Sequence, residues 1–205
     1  VIPMFTANGT QTAKVPAIQW LDNTALASVW LLFALHFFML SRFIPSIVVS
    51  VLFAIATILV AVRGLRWKIW ITFDVSLLWS LHIGYGFIPL GLGLFAAYYA
   101  GLDVPYSVAL HALTAGAMGT MILSMISRVS LGHSGRALIP KRIMSWAFLL
   151  IIGVGFTRTM LVWLAPQQVS GWLWISVLAW MIAYALYVMI YFPVLTTPRP
   201  DGKPG

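Results

Sequence analysis

The chain has 205 residues, of which 61% are hydrophobic and 8% charged, with a net charge of +8 and no cysteine. A water-soluble domain carries about 25% charged residues to cover its surface, so a mean hydropathy of +0.98 excludes an ordinary soluble fold. Without cysteine there are neither disulfides nor thiolate metal sites, which leaves His, Met, Tyr and carboxylates as donors.

Apolar runs long enough to cross ~30 Å of hydrocarbon recur along the chain. They are continuous rather than alternating, which predicts helices. Residues 1–22 mix Pro3, Gly9, Lys14, Pro16 and Asp22 with apolar residues and read as an interfacial lead-in, with Asn8-Gly9-Thr10 as a turn. A first span is predicted over 24–40, with Asp22 and Thr24 as N-cap candidates, and a second over 46–62 after Pro45. The basic, Trp-bearing connector Arg63 to Lys68 leads to a third span over 75–99. Gly101 to Pro105 separates it from a fourth over 104–127. A basic loop follows over 128–142, then spans over 143–165 and 172–193. The expectation is an all-α polytopic bundle of six spans over 23–193, with a tail over 194–205. The start at Val1-Ile-Pro-Met-Phe, without initiator Met or basic leader, reads as a piece of a longer protein.

Lys14, Arg63, Arg66, Lys68, Arg128, Arg136, Lys141, Arg142, Arg199 and Lys203 fall on one side of these spans, against Arg42 alone on the other. The positive-inside rule makes the basic side cytoplasmic, which puts both termini in the cytoplasm, as six spans require. The positive charge is thus read as membrane topology and not as affinity for nucleic acid. The lipid bilayer is the first partner.

Ionisable groups inside spans are costly and tend to mark function. His36, His111 and Arg158 each lie roughly 6 Å outward of the midplane by helical rise, and His82 about 7 Å to the other side. Two imidazoles suit a b-type haem and an Arg suits a propionate. Ser107 and Thr114 flank His111 on its face, and either hydroxyl would orient the ring. Met118 and Met125 continue that face with thioethers that suit Cu(I). The plainer readings are interhelical hydrogen bonds for the histidines, packing for the methionines and snorkelling for Arg158. Gly132-His133-Ser134-Gly135-Arg136 reads either as an anion-binding turn or as a tight turn with basic anchors. No P-loop, nucleophile elbow or carboxylate pair is present.

The run from His111-Ala-Leu-Thr-Ala-Gly-Ala-Met-Gly-Thr-Met121 through Ser127-Arg128-Val129 to Gly132-His-Ser-Gly-Arg136 resembles the NnrS family. So do the opening Val1-Ile-Pro-Met-Phe-Thr6 and Leu81-His-Ile-Gly-Tyr85 running to Pro89-Leu-Gly91. The resemblance implies a bacterial inner-membrane protein containing haem and copper, associated with denitrification and nitric-oxide stress. Nitric oxide is then the implied ligand, and His82, His111 and His133 match family-typical histidines. It also implies an amino-terminal half, with its own His-rich motifs, that this chain lacks. Sensor, scavenger and reductase all stay open, as do a transporter and a metal-free structural bundle.

Overall fold

In the computed structural model, which describes residues 1–200 and 202, the chain is all helical. Lys203 and the end of the 194–205 tail lie outside the described residues. Seven helices run through the described chain: α1 (Ile2–Thr10), α2 (Gln19–Phe37), α3 (Ser46–Leu65), α4 (Ser76–Tyr99), α5 (Tyr106–His133), α6 (Arg142–Leu164) and α7 (Val169–Thr196). Within α5, residues Ala112–Met118 are wound as a π-helix, and so are Thr157–Leu161 within α6.

Five of these helices, α3 to α7, are long and apolar enough to cross a membrane, so the expectation of six spans is corrected to five. The helix that falls short is α2. Its first turns carry Gln19, Asp22, Asn23 and Thr24, and His36 stands near its end. Residues 25–35 between them rise only ~16 Å, about half of the hydrocarbon thickness. Asp22 does not cap α2, whose N-cap is Ile18. It pairs instead with Arg63 Nε at 2.6 Å. Thr24 bonds back to Trp20 O. With five crossing helices, the parity argument for both termini on one side lapses.

The lead-in also differs from expectation. Pro3 occupies the first turn of α1, where its missing N–H costs nothing. Asn8-Gly9-Thr10 is the helix's last turn and not an open turn, because Gly9 packs on α4: a Cβ there would stand 2.8 Å from Leu78 Cδ1. The basic loop is shorter than 128–142, since α5 continues to His133. α7 likewise runs through Pro193 to Thr196.

α4 is the hub. It packs on α3 to one side and on α5 and α6 to the other, and α7 closes the row against α6 and α5. The most buried span is α4 and the least buried is α7. Small residues allow the closest approaches, as expected where packing rather than water drives helix association. The Phe87 ring of α4 sits between Gly116 of α5 and Gly155 of α6. A Cβ on Gly116 would lie 2.4 Å from Phe87 Cδ1, and one on Gly155 would lie 2.7 Å from Phe87 Cζ and 2.8 Å from Gly116 Cα. Gly153, one residue pair away on α6, has nothing within 4 Å of such a Cβ.

Gly155→Ala should therefore destabilise the bundle by roughly 1–3 kcal/mol, as overpacking does. Gly153→Ala should be neutral or stabilising by up to ~1 kcal/mol, because alanine is the better helix former. Thermal melts of the two variants in detergent check this, and equal melts would mean that Phe87 is not held as described.

Candidate functional site

The two π segments face each other across the α5–α6 contact. π turns inside α-helices frequently accompany functional sites, and each of these carries or adjoins an ionisable side chain. His111 is the residue before the first, and Arg158 lies inside the second. The Arg158 guanidinium donates through Nη2 to His111 Nε2 at 2.5 Å. His111 Nδ1 is 2.5 Å from Ser107 O. A carbonyl accepts only, so Nδ1 carries the proton and the Nε2 lone pair faces Arg158. Neither flanking hydroxyl orients the ring: the backbone of Ser107 does so, and Thr114 bonds Leu110 O.

A cation at this depth costs ~2.5–3.5 kcal/mol, and a hydrogen bond involving a charged group returns about 1.5–3 kcal/mol. The imidazole contact therefore offsets most of the insertion cost without a carboxylate. Beside the pair lies a cavity of about 320 Å³ lined by His111, Ala115, Arg158, Ser176, Trp180 and Met181.

The other histidines are elsewhere. His36 bonds through Nδ1 to Leu32 O and through Nε2 to Tyr99 OH, both at 2.9 Å, and its ring meets Phe53 edge-on. It belongs to the α2–α3–α4 corner, with α4 between it and the Arg158–His111 pair. His82 is buried on α4, with Nε2 2.8 Å from Thr6 Oγ1 and the Trp67 ring 6.3 Å away. It lines an apolar cavity of about 220 Å³ together with Gly64, Tyr85, Gly86 and Pro89. His133 ends α5 and lines a more polar cavity of about 340 Å³ with Ser134, Thr197 and Arg199. Arg199 donates to His133 O, while Arg136 donates to Val194 O and Thr197 Oγ1, strapping the end of α5 to that of α7. Gly135, at φ 68°, supplies the left-handed turn this strap needs.

Among the described residues no three His, Cys, Asp or Glu side chains converge as a metal site. Met118 is exposed on α5, seven residues before Met125, and no histidine joins either.

Residues 1–199 match the family model described as NnrS protein. The chain belongs to the NnrS family. No curated protein matches it, and no solved structure does. In this member the family-like segments meet: Phe5 of the opening motif lies under Arg128, and Gly84 packs against Met121. The opening motif forms α1 and reaches the Leu81–Tyr85 motif through Thr6 and His82, whereas the His111–Arg136 run forms most of α5.

Two partners were not readable in the sequence. Thr6 lies far from His82 in the chain, and the only hint was a polar residue within an otherwise apolar opening. Tyr99 was hidden among the aromatic residues that close α4. Besides Thr6, α1 is held by the Phe5 ring under Arg128, at 4.0 Å. Thr6→Val should loosen it, since one hydrogen bond contributes ~0.5–1.5 kcal/mol. Amide hydrogen exchange over 2–10 should quicken by several-fold while that of α6 stays unchanged; an unaltered rate would mean that Phe5 and Gly9 alone hold α1.

Proposed function

We propose that this NnrS-family chain is part of a haem-binding membrane protein of the bacterial nitric-oxide response, in which His111 would hold the iron and Arg158 would partner a propionate. The observation that carries this reading is the joining of His111 and Arg158 at the facing π segments, over a cavity that borders both. The residues would supply one imidazole for the iron and one cation for an anionic substituent. They do not suit a bis-imidazole pair of His36 and His111, because both His36 nitrogens are engaged in another corner of the bundle.

Haem would supply an iron able to bind nitric oxide. Ser107 O keeps the proton on Nδ1 and so leaves Nε2 as the donor atom, the orienting role a carbonyl commonly plays for ligating imidazoles. Arg158 occupies that lone pair, so its guanidinium has to turn aside for Nε2 to ligate. A carboxylate at the cavity wall gives the fork a better partner than imidazole does. His82 and His133 are kept as secondary ligand positions, each beside its own cavity. For copper, no three His, Cys, Asp or Glu side chains converge among the described residues.

Detergent-purified protein should show a Soret band that His111→Ala abolishes or shifts. Arg158→Leu should lower haem retention, and Arg158→Lys less so, because charge survives while the bidentate fork is lost. A colourless, metal-free full-length protein would favour a transporter. Full haem content in the Arg158→Leu variant would return Arg158 to snorkelling.

We also propose that the end of the bundle bearing Arg63, Arg128, Arg136 and Arg199 faces the cytoplasm. Ala137 and Gly101 lie beyond opposite ends of α5. In a chain free of cysteine, Ala137→Cys should label only after the membrane is permeabilised, and Gly101→Cys in intact cells. Labelling of both from outside would remove this orientation.

A further inference from the structure

One face of α5, continued by Ser134 just past its end, carries an unbroken line of buried hydroxyls. Ser134, Ser130, Ser127, Ser124 and Thr120 follow one another at spacings of three and four residues, and all five are buried. Residues so spaced share a helix face, and from Ser134 to Thr120 that face rises ~21 Å, about two thirds of the hydrocarbon thickness. The neighbouring helices answer it with hydroxyls of their own. Ser130 Oγ meets Tyr187 OH of α7 at 2.9 Å, and Ser124 Oγ meets Ser80 Oγ of α4 at 2.8 Å.

Two members of this line have no hydrogen-bond partner. Thr120 Oγ1 and Tyr191 OH are the buried polar side-chain atoms left unsatisfied among the described residues, and Thr120 and Tyr191 are 0% and 1% exposed. Tyr191 stacks on Tyr187 at 4.8 Å and faces the Ser127 hydroxyl without closing a hydrogen bond to it. Buried polar groups in proteins are almost always satisfied, and the usual missing partner is an ordered water. A gap between two facing hydroxyls is where such a water bridges. At its Ser134 end the line reaches the polar cavity of about 340 Å³ at His133, Ser134, Thr197 and Arg199.

From this arrangement we infer that the α5 hydroxyl face, with Ser80, Tyr187 and Tyr191, is a hydrated inlet holding ordered waters from the His133 cavity to the level of Thr120. Ser124, Ser127 and Ser134 give their protons to backbone carbonyls, which leaves their oxygens as acceptors for such waters. The inlet stops one turn below Gly116, where the Phe87 ring closes the seam. The inference does not rest on haem: it needs only the α4–α5–α7 seam.

The absence of cysteine makes the test clean. Ser124→Cys, Ser127→Cys and, as a control, Leu123→Cys are exposed in the native detergent-solubilised chain to Ag⁺, then denatured and treated with a maleimide that shifts free thiols on a gel. Leu123 is 0% exposed and sits in the apolar cluster of the same helix. A dry, buried thiol reacts only on local opening, so Ag⁺ should block the two serine positions about tenfold faster or more. Equal rates at all three positions would overturn the inlet. If the cysteine variants do not fold, Thr120→Val and Tyr191→Phe decide the matter by thermal melting. Removing a hydroxyl that holds water should lower Tm, whereas removing one that is dry and unpaired should raise it, and a rise in both would overturn the proposal.

Discussion

The seating of the Phe87 ring between Gly116 and Gly155 sets the spacing of the three central helices, and the neighbouring geometry depends on it. Only hydrogen fits at either glycine, so α5 and α6 meet nearly backbone to backbone with α4 wedged against both. A packed interior of this kind is not continuously deformable. Within about two turns of that contact, both helices open into π segments, and there His111 and Arg158 come within hydrogen-bond reach.

In hydrocarbon each polar side chain needs an internal answer, and two of the histidines use the same device. His36 and His111 each give Nδ1 to the carbonyl four residues earlier, Leu32 O and Ser107 O. This fixes the tautomer and turns Nε2 toward a neighbouring helix. What differs is the group that meets it, a phenol for His36 and a guanidinium for His111. His82 takes a third course, anchoring α1 through Thr6.

Much of the helical architecture was legible because hydropathy records it directly. Pro45, Gly101 to Pro105 and Pro166 mark chain reversals, and α3 to α7 follow between them. Helical rise gave depth, which brought His111 and Arg158 level and the structure then joined them. Depth is one coordinate of three, however: His36 was level with that pair and packs against different helices. The neighbour relations of helices lie in close approaches such as Gly91 to Leu113, which no window average reveals. The π segments were equally hidden, since no hydropathy or capping signal distinguishes an extra residue in a helical turn. The reach of α2 was overestimated because its apolar middle outweighed the polar side chains at both ends. In α1, Pro3 was a readable start signal, but Gly9 counted as a breaker although it serves as a contact surface.

The anchoring of α1 also bears on the order in which the protein assembles. Its contacts, His82 for Thr6, Leu78 for Gly9 and Arg128 for Phe5, all lie downstream in the chain. At roughly 5–20 residues per second, a ribosome needs on the order of ten seconds to pass from Phe5 to Arg128. Until then the segment has at most the α4 part of its surface to settle on, and a nine-residue helix is marginal in isolation. Although α1 precedes its docking surfaces in the chain, it is therefore among the last of these helices to settle, once α4 and α5 stand side by side.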